Sequence, residues 1–181
     1  MNKNELIELS RNGDDAAFEE LVVLLESRVA ATIFGILGNC PEVDDIGQQT
    51  FIKLYKSLPS FRGDAGIETY VTRIAINLSL NELKRRKRRS QLFISKSPKE
   101  FENIPNIISD AEEREIHDAI RWAIQQLDPK FRTVVVLRLI NGYSVKETAG
   151  ILKLPQGTIL SRLARAQKKL RKLLKPLFFD N

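Results

Sequence analysis

The stretch from Ser144 to Lys172 constrains this chain more than any other, because it reads as two helices around a tight turn. Ser144 followed three residues later by Glu147 is a capping box, in which the Ser hydroxyl accepts from the Glu backbone N–H and the Glu side chain answers the Ser N–H. Lys153-Leu154-Pro155 ends that first helix: the residue before a proline is pushed out of the α region, and Pro155 suits the first turn of a second helix. Beyond it Ile159, Leu163, Ala166, Leu170 and Leu174 recur on one face, while Thr158, Ser161, Arg162, Arg165, Lys169 and Lys172 occupy the other. A short helix, a turn and a longer helix with a basic face make a helix-turn-helix. Between Val145 and Lys175 the only acid is Glu147, so the basic face fits nucleic acid better than a merely solvated surface. Lys153 occupies the turn position where glycine is preferred, and a left-handed backbone at a non-glycine residue costs on the order of 1 kcal/mol.

The rest of the chain also reads as helices. Phe18, Val22, Leu25, Val29, Ile33 and Leu37 line one face of a long helix after a short polar start, and Gly38-Asn39-Cys40-Pro41 breaks it. A second helix begins near Glu42, with Glu42, Asp44 and Asp45 at the positive end of its dipole. Val43, Ile46, Phe51, Leu54 and Leu58 form its buried stripe, which leaves Asp45, Gln48, Gln49 and Lys53 outward. Pro59 to Gly66 is a loop carrying Phe61 and Arg62, and it feeds a third helix with Ile67, Tyr70, Val71, Ile74, Leu78 and Leu83 inward. That helix runs into six consecutive cations, Lys84 to Arg89. Rings beside a basic helix suit single-stranded nucleic acid, since aromatics stack on bases while cations follow phosphates.

From about Ser90 to Ile108 periodicity lapses and Pro98 and Pro105 appear, which marks a linker. Asp110 with Glu113 offers a second capping box, and Ile116, Ile120, Ala123 and Leu127 follow at helical spacing. Asp128-Pro129 reads as N-cap plus first-turn proline. Thr133 to Ile140 has strand-like composition, but Asp-Pro opens it and Asn141-Gly142 closes it, so a buried helix is expected. The fold class is therefore all-α: two small helical domains, residues 1–90 and 110–181, joined by a flexible linker over 91–109.

Composition narrows the chemistry. The 181 residues carry a formal charge of +6, which favours a polyanionic partner. Cys40 and His117 are the only residues of their kinds, so no intrachain disulfide or His/Cys metal cluster can be built from this chain alone. No nucleophile elbow or phosphate loop is present, and the expectation is a protein with no enzymatic activity, no cofactor and no metal. Met1 to Glu5 lacks a signal-peptide pattern and no apolar run approaches a membrane span, so a cytoplasmic location is expected.

With both halves in view, the chain resembles the sigma factors of bacterial RNA polymerase, specifically the small extracytoplasmic-function group that keeps two domains. The resemblance spans roughly Asp14 to Leu174 and rests on four pieces in the family's order. They are Asp44-Asp-Ile-Gly-Gln-Gln-Thr-Phe-Ile-Lys-Leu-Tyr55, Phe61-Arg-Gly-Asp-Ala-Gly-Ile-Glu-Thr-Tyr-Val-Thr-Arg-Ile-Ala-Ile-Asn77, Leu127-Asp-Pro-Lys-Phe-Arg-Thr-Val-Val-Val-Leu-Arg138 and Pro155-Gln-Gly-Thr-Ile-Leu-Ser-Arg162. The resemblance implies a region 2-like domain over 1–90 and a region 4-like domain over 110–181. It implies that Asp45, Gln48, Gln49 and Phe51 dock on the β′ clamp helices of core polymerase. Phe61, Arg62, Tyr70, Arg73, Asn77, Asn81, Lys84 and Arg85 would read and melt the −10 element. Thr158, Ser161, Arg162, Arg165 and Lys168 would read the −35 element, with the β flap a further polymerase contact. Promoter DNA and an anti-sigma factor are implied partners, and a small-molecule substrate is not. Gln49, Tyr70 and Lys153 stand where the family usually has an acid, a tryptophan and a glycine. Two rival readings from other classes are a stand-alone dimeric regulator with the same helix-turn-helix and an adaptor anchored to membrane through Lys84 to Arg89.

Overall fold

The computed structural model describes residues 2–63, 65–92 and 111–178, all helices and turns with no strand among them. The expected polar start is in fact a helix, α1 (Lys3–Arg11), opened by a capping box between Asn2 and Glu5 and anchored by buried Leu6 and Ile7. Next comes α2 (Asp15–Leu37), capped by the Asp14 carboxylate and ended by Gly38, whose φ of 75° is open to glycine without strain. Leu21, Leu25, Val29, Thr32, Ile33 and Ile36 are buried along it, whereas Phe18 and Val22 are only half-buried. It is the central helix, because α1, α3 (Glu42–Ser57) and α4 (Ile67–Leu92) all pack on it. On α3 the buried residues are Ile46, Thr50 and Leu54, with Val43 and Phe51 partly covered.

The C-terminal half comprises α5 (Ala111–Gln125), α6 (Pro129–Val135) continued by a π-helical turn over Val136–Ile140, α7 (Val145–Leu152) and α8 (Gln156–Phe178). The Thr133 to Ile140 segment is thus helical as expected, but Leu139 and Ile140 are exposed. Asp128 takes the N-cap place before Pro129, yet its carboxylate accepts from Lys169 Nζ at 2.9 Å instead of capping the helix. Ile116 and Ile120 are exposed on α5, whose burial begins at Ala123. The box at Asp110 lies outside the described residues. Of the expected linker, residues 91 and 92 close α4 and the rest lies outside them too.

The two halves share one core. Val136, Leu137, Tyr143 and Ile151 join the apolar cluster built by α2, α3 and α4. Polar groups fix the register along this seam. Arg132 reaches from α6 to the Ile36 carbonyl at 2.6 Å and also donates to the carbonyls of Gln125 and Leu127. Burial holds its pKa below the ordinary arginine value, an effect that nearby Asp128 opposes. Gln125 Nε2 donates to the Gly35 carbonyl at 3.0 Å, so side chains from the far half cap the last turn of α2. Asn141 Nδ2 donates to the Thr32 hydroxyl, the hydroxyls of Thr72 and Tyr143 pair at 2.9 Å, and the Arg28 guanidinium lies over the Tyr143 ring.

Candidate nucleic-acid interface

The helix-turn-helix forms as the sequence dictates. Ser144 and Glu147 make the reciprocal box, and the bonds of Ser144 hold the Glu147 carboxyl below its usual pKa. Lys153 ends α7 in the left-handed region at φ 52°, ψ 48°, the only positive-φ non-glycine among the described residues. Its N–H and that of Leu154 both satisfy the Ala149 carbonyl. Pro155 supplies the N-cap carbonyl of α8 instead of its first turn, accepting from Thr158 and Ile159. Along α8, Ile159 and Ala166 are buried and Leu163, Leu170 and Leu174 are partly so, which turns the opposite side outward. Ser161, Arg165 and Lys168 are exposed there, and Thr158 and Arg162 are half-buried at its edge. Lys169 is held by Asp128, so it belongs to the module's own structure. Leu160, 53% exposed, projects from the same helix, and a lone apolar residue beside a basic face leaves no sequence signal.

On α4, Tyr70, Arg73, Asn77, Asn81 and Lys84 recur every three or four residues and so share a stripe, with Arg85 four residues after Asn81 beside it and Arg88 one more turn along. Asn77, Asn81, Lys84, Arg85 and Arg88 are exposed or half-buried along it. Its cations are not equivalent. Glu82, 6% exposed, accepts from Arg85 Nε at 2.7 Å and from Arg86 Nε at 3.3 Å. Burial pushes the Glu82 carboxyl up, but these two arginines outweigh it and the net pKa is lowered. Arg86 also reaches Glu42 and the Cys40 thiol, both at 2.8 Å, so it ties α4 to the start of α3. Arg88 and Arg89 face solvent, Lys84 and Lys87 are at least half-open to it, and the basic run is only partly offset by acids. His117 is exposed and Cys40 is half-buried.

Phe61 differs from expectation. It is 8% exposed within the apolar core and contacts the Tyr70 ring at 5.1 Å, so it braces Tyr70 and does not offer a free face to a base. Arg62 beside it is exposed. Arg73 is engaged as well: Nη2 donates to the Gly150 carbonyl of α7 at 3.1 Å, and Nε is buried without a partner. The outer face of α3 carries exposed Asp45, Gln48 and Gln49, whereas Phe51 is half-buried, with its ring packed against the core. Ile52, 53% exposed and one turn beyond Gln48, shares that outer face. An isoleucine at the outer spacing of Asp45 and Gln48 is the signal for it.

Among the described residues, an all-helical fold with a basic stripe on one helix, a helix-turn-helix at the other end and an exposed, mainly polar face between them has the features of a nucleic-acid-binding protein. Comparison with known proteins makes this specific. Residues 13–89 match the model described as Sigma-70 region 2, and residues 123–172 match Sigma-70, region 4. The chain is 34% identical to the RNA polymerase sigma-H factor of Pseudomonas aeruginosa, covering 96% of this chain and 94% of that one. It is 33% identical to the ECF RNA polymerase sigma-E factor of Escherichia coli, covering 95% and 94%. The solved complex of the sigma factor RpoE with the anti-sigma factor NepR from Bartonella quintana has the same fold, with a TM-score of 0.73 at 22% identity, covering 87% of this chain and 96% of that one.

The chain belongs to the extracytoplasmic-function group of the sigma-70 family. It is thus a promoter-specificity factor for bacterial RNA polymerase, and the match over α2 to α4 disfavours a stand-alone regulator, which has no need of region 2.

Proposed function

We propose that α4 reads and opens the −10 element, that α8 reads the −35 element, and that the outer face of α3 seats the chain on core polymerase. The observation that carries this reading is the presence of two separate basic helix faces, each within the stretch matched by its family region. Arg62, Tyr70, Arg73, Asn77, Asn81, Lys84 and Arg85 line the first site, where an unstacked base is held against polar groups and a ring while cations follow the backbone. Thr158, Ser161, Arg162, Arg165 and Lys168 form the second, presented to a major groove by the helix-turn-helix. Asp45, Gln48, Gln49 and Ile52 contact the β′ clamp helices, and the C-terminal half contacts the β flap. The chain acts in the cytoplasm, catalyses no reaction of its own and is restrained by an anti-sigma factor, as its fold neighbour is bound by one. Among the described residues no helix is long and apolar enough to cross a membrane.

Pull-down of the tagged chain from its host tests the docking surface. The β′ subunit is expected to co-purify with the wild type and to be depleted with Asp45→Arg/Gln48→Arg. Equal recovery by both proteins would remove α3 from the interface.

A further inference from the structure

We propose that Leu160 is a specificity residue for the upstream element: its side chain selects a thymine by closing over the C5-methyl group in the major groove. This rests on the reading of α8 as the −35 helix and adds what one position of that helix recognises.

Leu160 lies within the first two turns of α8, the part of a recognition helix that meets base edges. Its side chain is 53% exposed, although the preceding Ile159 is fully buried. The helix turns by about 100° per residue, which carries Leu160 off the core. On the outward side, Thr158, Ser161 and Arg165 form one row at helical spacing, and Gly157, Leu160 and Ala164 form a second row beside it. The first row bears hydroxyls and a guanidinium. The second bears no polar side-chain atom.

A lone exposed leucine is ordinary on a protein surface. The surroundings of this one point to a partner. Gly157 and Ala164, the residues one turn either side of it, are small and exposed. A Cβ on Gly157 would meet nothing within 4 Å, so no neighbour in the protein requires a glycine there. Glycine is a poor helix former, and close approach of the backbone to a ligand is one use that offsets this. Arg165 and Lys168 are exposed on the same side, and Glu147 is the only acid between Val145 and Lys175, so the charge complements a duplex.

The chemistry of the groove names the base. Adenine, guanine and cytosine present only donors and acceptors in the major groove, whereas thymine presents an acceptor and a methyl group. A leucine seated over any of the first three covers a polar atom without bonding it, which weakens binding. Over thymine it buries the methyl group instead. Burial of one such group corresponds to roughly a four-fold change in affinity.

The test uses the full chain assembled with core RNA polymerase and a duplex library randomised over both promoter elements, with bound templates sequenced. The wild type is expected to prefer thymine at one upstream position. Alanine suits an exposed helical position, so Leu160→Ala keeps the fold; it should lose that preference by about four-fold while other positions keep theirs. Deoxyuridine in place of that thymine removes the methyl group and nothing else. It should weaken wild-type binding by the same factor and leave Leu160→Ala unaffected. Preferences unchanged by Leu160→Ala, or a deoxyuridine effect equal in both proteins, would overturn the inference. If Arg162→Ala/Arg165→Ala also leaves every preference in place, the reading of α8 falls with it. If that double variant relaxes the upstream element and Leu160→Ala does not, only the role of the leucine falls.

Discussion

Lys153 offers a test of whether local backbone strain at the helix-turn-helix has the size its geometry requires. It is the C-cap of α7 with φ 52° and ψ 48°, its side chain is exposed, and its N–H already satisfies the Ala149 carbonyl. Glycine keeps that bond and removes the clash between Cβ and the following carbonyl, recovering about 1–2 kcal/mol. It also enlarges the unfolded ensemble, a loss of about 0.4–1 kcal/mol. The net expected gain is about 0.5–1 kcal/mol, or about 1–4 °C in Tm for a chain of this size. Lysine near a helix C-terminus also favours the dipole, and that contribution is lost on any neutral substitution. The comparison is therefore Lys153→Gly against Lys153→Ala, followed by thermal unfolding of the full chain by circular dichroism. Alanine loses the same charge and keeps the strain. A glycine variant no more stable than the alanine variant would refute the strain argument and show that the turn relaxes when its side chain changes.

Three further outcomes concern the sites. Arg165→Ala should weaken use of the upstream element by about 1–3 kcal/mol if the guanidinium bonds a base edge; an unchanged footprint there would exclude it from the reading face. Asn77→Ala should impair strand opening, read by permanganate reactivity, more than initial promoter binding, and equal loss in both steps would contradict its place in melting. Glu82 has a lowered folded pKa, so its pairing with Arg85 and Arg86 contributes stability that is present above the ordinary carboxylate pKa. That contribution is lost as pH falls through the lower folded value, and Glu82→Gln should flatten the acid limb of stability against pH; an unchanged limb would show that another carboxylate governs it.

The features legible in the sequence are the local ones. The Ser144 box, the left-handed Lys153 and the split faces of α8 depend on residues within a turn or two of each other, and spacing alone reveals them. The same logic applies to α1, where Asn2 and Glu5 form a box three residues apart inside a stretch whose polarity masks it. The burial of Phe61 escapes the sequence because a ring in a loop has no periodicity to say which way it turns, and only packing against Tyr70 decides it. Phe51 falls on two faces for a related reason: it lies at the edge of the buried stripe, where spacing does not separate core from rim. The seam is not legible at all. Arg132 and Gln125 bond backbone carbonyls some 90 residues away, and a carbonyl is the same at every position. The close approach of Val136 to Gly35, where a Cβ would meet its Cγ2 at 2.7 Å, is likewise a feature that no pattern of polar and apolar residues records.

The most direct measurement is transcription in vitro with purified chain and core RNA polymerase on genomic templates from the same cell. Discrete transcripts that require both proteins, and that are lost when the α8 face is neutralised by Arg162→Ala/Arg165→Ala, are the predicted result. Core polymerase whose start sites are unchanged by the added chain on every template would contradict the account.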